Sequence, residues 1–342
     1  MSALLHPSRD SNMILQPAAL PRTSLSRRDV LRTAAGSFAA AAVGIESSSA
    51  QQPRSADDAK LADPKTGAID AHVHVWTPDT ERYPLAPGFR RDEMKPPSFT
   101  PEELFEHARP CGVARIVLIQ MSFYGFNNVY MLDSMRRYPG VFSGVAVIDD
   151  SADAPQDEMR RLAKLGVRGF RIYPRNKPAD RWLDGPGMQA MWKCGGEDGL
   201  AMCNLVNPDA LPAIARMGEK YPDAPIVIDH FARIGVSGEI RQPDLDQLCA
   251  LAKNPRAYVK ISAFYALGKK QAPYVDLIPM IRRLLDAYSP ERLMWATDCP
   301  YQVQEGHDYA DSIALVRDRL DFLSDGDREW LLRKTAEKVF FS

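Results

Sequence analysis

The stretch GAIDAHVHVW, from Gly67 to Trp76, sets two histidines at i and i+2 in an otherwise apolar, β-rich run. The chain has six histidines, and His72 and His74 are two of them. Side chains alternate along a strand, so a strand here points both imidazoles the same way. Their rings then face one point, which a metal ion or a substrate carbonyl could occupy. An ordinary pair of satisfied strand histidines fits the same spacing.

Seven later runs share this character: ARIVLIQMS (114–122), VFSGVAVID (141–149), VRGFRIYP (167–174), LAMCNLVNP (200–208), APIVIDHFA (224–232), AYVKISAF (257–264) and RLMWATDCP (292–300). They are rich in Val, Ile and Leu and apolar on both faces, as in a parallel sheet covered by helices. Helical patterns separate them. TPEELFEHARPCG opens on Thr100 and Pro101, a cap and first-turn pair. NNVYMLDSMRRYPG and PQDEMRRLAKLG close on basic residues and glycine. Others end at proline, and the tail from Asp311 to Phe341 reads as helical. The least regular helix is DGPGMQAMWKCGGEDG, after the fourth run. Eight strand–helix units over roughly 270 residues predict an α/β fold, a single-domain (β/α)8 TIM barrel over 67–342. An open doubly wound sheet is the other arrangement, but no glycine-rich dinucleotide loop follows any strand.

The 342 residues are 45% hydrophobic and 25% charged, with a net charge of −1, so nothing favours nucleic acid or an anionic membrane as partner. After the first fifty residues no apolar run is long enough to span a bilayer. Five dispersed cysteines without a CxxC pair give neither a disulfide framework nor a thiolate zinc site. Residues 1–50 contain Arg27 and Arg28, then Val30 and Leu31, an Ala/Gly-rich run, and Ser48-Ser49-Ala50. That order reads as a twin-arginine signal peptide, which implies export machinery as a partner and a periplasmic location. Residues 51–66 read as a flexible leader.

Catalytic groups of such barrels sit where strands end. The first strand carries Asp70, His72 and His74, and the second ends at Gln120 and Ser122. Arg171, Tyr173 and Arg175 mark the fourth, and Asn204 and Asn207 the fifth. Asp229, His230 and Arg233 follow the sixth, Lys260 and Ser262 lie on the seventh, and Thr297 and Asp298 end the eighth. Each is costly on a packed strand unless paired or used.

Taken in order, IDAHVHVW, IDHFA, VKIS and ATDCP resemble the amidohydrolase-related (amidohydrolase 2) family of TIM-barrel hydrolases. The tail LLRKTAEKVF is similar to its closing helix. IQMSFYGFNNVYMLD, DHFAR and RGFRIYPR resemble its lactonase branch, which includes 2-pyrone-4,6-dicarboxylate and sugar lactonases. The resemblance implies a hydrolase opening a lactone or related carboxylate-bearing ester, a small carboxylated molecule. It assigns catalysis to Asp298, His230, His72 and His74, with Asp298 as general base. Arg171, Arg175 and Arg233 are candidates for substrate carboxylates, and Tyr83, Tyr173 and Gln120 for further substrate contacts.

Metal-binding members of the family add a histidine on the fifth strand, and LAMCNLVNP has none. His72, His74 and Asp298 still supply the three ligands of a catalytic zinc site, so a divalent metal and a metal-free site both stay open. Two other readings remain: a zinc-dependent decarboxylase of an aromatic or unsaturated acid, and a non-catalytic exported barrel that binds a carboxylated ligand. Lys260 reads as a structural partner inside the barrel, and Asp229 as a residue that orients its surroundings. His107 reads as a surface residue on a helix, and His307 falls after the eighth strand on the site side.

Overall fold

Parallel strands form where the β-rich runs lie: β1 (Ala68–Val73), β2 (Val113–Ile119), β3 (Phe142–Ala146), β4 (Val167–Ile172), β5 (Ala201–Asn204), β6 (Ile226–Ile228), β7 (Ala257–Ile261) and β8 (Leu293–Trp295). The structure, a computed structural model, describes residues 62–175 and 177–342. The twin-arginine signal and all of the leader before Ala62 lie outside these residues. Within them, Ala62 already donates its amide to Val113 O at 3.1 Å, tying the end of that leader to β2.

The eight strands pair in sequence order. After each comes a helix: α1 (Pro101–Ala108), α2 (Val129–Arg137), α3 (Pro155–Ala163), α4 (Pro186–Asp198), α5 (Leu211–Lys220), α6 (Gln242–Ala250), α7 (Ile278–Tyr288) and α8 (Tyr309–Asp318). This is the TIM barrel that the alternation predicts. Thr100 caps α1, where Glu103 reaches back to the Thr100 amide. The irregular DGPG run does form α4, and its Gly187 has a packing role. A Cβ there would fall 1.9 Å from Asp150 O, so only glycine permits the approach.

Two apolar layers result. Ile116, Leu118, Phe170, Met202, Ile228 and Trp295 face the helices. Val117, Val145, Cys203, Val227, Tyr258 and Met294 fill the barrel. The tail is not one helix. It breaks after α8 and resumes as α9 (Asp325–Glu329), a π turn at Trp330–Lys334 and α10 (Thr335–Phe340). The break lets Val339 and Phe340 join the inner layer and close its lower end.

Simple alternation fails on β1. Asp70 pairs with Ile116 but Val73 with Leu118, so three steps on β1 match two on β2. This bulge reverses the inside–outside order. Ile69 and Ala71 face the barrel below it, and His72 and His74 face the barrel above it. Asp70 turns instead into the seam between β1 and the chain after β8. There it accepts from Thr297 N (3.0 Å), Thr297 Oγ1 (2.5 Å), Tyr309 OH (2.7 Å) and His72 N (3.2 Å). Burial pushes its carboxyl up to about 6, against the pull of these donors. Asp70→Ala leaves those buried donors unmet, which costs about 3 kcal/mol and should lower Tm by about 5–10 °C in a thermal melt.

Candidate active site

The seam closes through the residues that follow β8. Asp298 N donates to His72 O at 2.9 Å, and His74 N donates to Cys299 O at 2.8 Å. Asp298 takes a left-handed φ of 70° there. Its carboxylate is thereby brought over the two histidines of β1. Oδ1 lies 3.3 Å from His74 Nε2, 3.5 Å from His72 Nε2 and 3.8 Å from His230 Nε2. His72 and His74 are fully buried.

The far side of each ring fixes what the near side can do. His74 Nδ1 donates to Ile119 O at 3.0 Å, which leaves Nε2 with its lone pair. His230 Nδ1 lies 2.8 Å from Ser262 Oγ, whose hydroxyl donates to Lys260 O. Nδ1 therefore donates to Ser262, and His230 Nε2 also presents a lone pair. His72 Nδ1 lies 3.4 Å from Asp229 Oδ1 and 3.3 Å from Lys260 Nζ. Burial, with Lys260 and His230 adding to it, drives the His72 ring well below its ordinary pKa. Burial takes His230 down to about 4. Both rings are neutral at pH 7. Burial would raise Asp298; the imidazoles around it lower its carboxyl to the extent that they carry a proton, or a positive charge takes their place.

Lone pairs and a carboxylate oxygen thus converge on one point. Asp298 Oδ1 has no hydrogen-bond partner among the described residues. Buried acceptors in this arrangement call for a cation or a donor between them. His72 Nε2, His74 Nε2 and Asp298 Oδ1 are mutually 3.3–3.5 Å apart. Ligands about 2.0–2.1 Å from a tetrahedral zinc ion lie about 3.3–3.4 Å from each other. The donor set therefore fits a zinc-sized divalent ion with an open fourth position.

Behind His72, Lys260 Nζ sits 3.1 Å from Asp229 Oδ1, and both side chains are fully buried. Burial alone would raise Asp229, but Lys260 outweighs it and holds the carboxyl well below its ordinary range. Beside Asp298 a pocket opens, lined by Arg171, His230, Arg233 and Tyr265, with Leu205 and Leu267 on its wall. Arg171 Nη1 lies 3.4 Å from His74 Nε2, while its Nε and Nη2 have no partner among the described residues. Among the described residues no carboxylate pairs with Arg171 or Arg233. His230 to Arg233 form an unusual turn of four consecutive left-handed residues, φ 51–60°. The turn brings both His230 and Arg233 to this pocket.

Other candidates lie elsewhere. Arg175 is engaged by Asp150 at 2.9 Å and Ile148 O at 3.0 Å, and it covers the rings of Phe126 and Tyr173. Tyr83 donates to Asp133. Gln120 donates to Asn127 O and braces the loop after β2. His107 is half-buried against Phe99, and His307 meets Tyr274 OH at 2.8 Å. Tyr265, whose OH donates to Asp298 Oδ2 at 2.7 Å, was not singled out from the sequence, and Asp70 was noted on its strand without the clamp it forms on Thr297 and Tyr309. SAFY, after β7, carries no signal for Tyr265. Only the bulge reveals the clamp.

A parallel barrel with imidazoles and one carboxylate at the C-terminal ends of β1, β6 and β8 carries these groups where TIM-barrel enzymes carry their catalytic residues. The sequence profile of the Amidohydrolase family matches residues 69–341. This chain belongs to that family. It is 28% identical to the L-fucono-1,5-lactonase of Burkholderia ambifaria, over 71% of this chain and 83% of that one. It is also 28% identical to the 4-sulfomuconolactone hydrolase of Hydrogenophaga intermedia, over 69% and 75%. Among solved structures, the putative 2-pyrone-4,6-dicarboxylic acid hydrolase of Pseudomonas putida superposes with a TM-score of 0.67. It is 26% identical and matched over 81% of this chain and 98% of that one.

Lys260→Met strands a buried Asp229 charge and should cost about 3–5 kcal/mol. Adding Asp229→Asn should return most of that loss, as read in a double-mutant denaturation cycle.

Proposed function

We propose that this chain hydrolyses a carboxylate-bearing lactone. The observation that carries the reading is the convergence of lone pairs on Asp298 Oδ1 beside two arginines without carboxylate partners. A substrate with an anionic group and an apolar ring suits a pocket that pairs those cations with Leu205 and Leu267. The lactone hydrolases among the relatives support the same chemistry.

Arg233 holds the substrate carboxylate. Arg171, next to His74, faces the lactone carbonyl and steadies the oxyanion with its free N–H groups. Asp298 Oδ1 takes the proton of the attacking water and returns it to the departing ring oxygen. His230 Nε2 accepts the second hydrogen of that water and so aims it. His72, His74 and Asp298 would hold a divalent ion of about zinc's size, which would supply Lewis acidity and lower the pKa of bound water. The twin-arginine leader places the enzyme outside the cytoplasm in this proposal.

A pH-stat assay over a panel of carboxylated lactones tests the reading. Wild-type acid release should fall on chelation and return with zinc. Asp298→Asn should lower kcat about 10³-fold with or without added zinc. An Asp298→Asn protein with wild-type turnover would falsify the mechanism. Arg233→Met should raise KM about 30-fold with kcat nearly unchanged, since a charge-assisted contact to a remote carboxylate is lost. A methyl-ester analogue should not show that difference.

A further inference from the structure

We propose that Tyr265 is a positioning residue that decides which oxygen of Asp298 faces the histidines. The backbone of Asp298 is already fixed by its left-handed φ and by its amide bond to His72 O. What remains free is the side chain, and above all rotation of the carboxylate plane. Tyr265 OH donates to Oδ2 at 2.7 Å, the one hydrogen bond to that oxygen among the described residues. Oδ1 is left without a donor and points at three imidazole nitrogens. One oxygen is therefore occupied and the other is available. This division leaves Oδ1 free to act at the histidines, and it holds whether or not a metal ion is bound there.

The phenol is itself well held. It sits on the turn Phe264–Ala266, which Ala263 enters at a left-handed φ of 56° and closes by accepting from Ala266 N at 3.0 Å. Its ring stacks on Tyr301 at 6.4 Å and meets His307 at 6.1 Å. His307 is backed by Tyr274, which accepts from Gln302. At 2.7 Å from a carboxylate oxygen, which only accepts, the phenol is the donor of the pair. With Oδ2 released, the carboxylate can turn either oxygen, or both, toward the histidines or Arg171.

Tyr265→Phe removes the donor and keeps the ring. The kinetic arm of the test rests on the lactonase reading above, and the structural arm does not. The expected crystal structure of the variant shows the Asp298 carboxylate rotated or split between orientations. The expected kinetics are a kcat lowered about tenfold to a hundredfold with KM within about threefold, as for loss of a hydrogen bond to a charged group. A thermal melt near that of wild type shows that the fold is kept. An unchanged carboxylate orientation overturns the proposal. So does a raised KM at constant kcat, which would make the phenol a substrate contact. If wild type opens no lactone, the orientation of Asp298 in the variant still decides.

Discussion

The join between the first and last strands is the constraint on which the site depends. A barrel must close, and here closure runs through functional residues. The amide of Asp298 bonds the carbonyl of His72, and the amide of His74 bonds the carbonyl of Cys299. The hydrogen bonds that complete the sheet thus also set the carboxylate against the imidazoles. Asp70 reinforces the join from the other side, gathering Thr297 and Tyr309 onto one carboxylate. The bulge in β1 makes both possible, because it turns Asp70 outward while His72 and His74 turn inward.

The interior above the apolar layer is a compensated set of charges and lone pairs. Lys260 neutralises Asp229 where neither reaches water. Asp229 in turn lies against His72 Nδ1, the position from which a carboxylate orients a ligating or catalytic imidazole. Ile119 O and Ser262 do the same for His74 and His230. Every ring is anchored at Nδ1 and turns Nε2 toward Asp298 Oδ1, and burial keeps His72 and His230 neutral. Such a site is preorganised for a positive charge or a polarised water at its centre.

The mouth of the barrel is divided. On one side Trp76 packs against Phe123 and Tyr301, and Tyr301 meets the ring of His74. On the other, the loops after β4 to β7 leave the pocket that holds Arg171, Arg233 and Tyr265. Arg175 is matched by Asp150, whereas Arg171 Nε and Nη2 and Arg233 Nε have no partner among the described residues.

Much of this was legible in the sequence. The alternation of apolar runs with capped helices determined the barrel, since local periodicity and capping chemistry are short-range properties. The HVH, DHFAR and TDCP segments determined which strand ends carry His72, His74, His230, Arg233 and Asp298. Only the tertiary structure decided how they are used. Strand periodicity alone set Asp70 beside His72, and a single inserted residue separated them. Arg171 and Arg175 both read as candidates for a substrate carboxylate, and Asp150 claims Arg175. Tyr265 had no local signature, because its role is a contact with a residue 33 positions away across the barrel mouth. Sequence fixes residue types and local periods, but partners that meet only when the barrel closes are set by the packing of the whole chain.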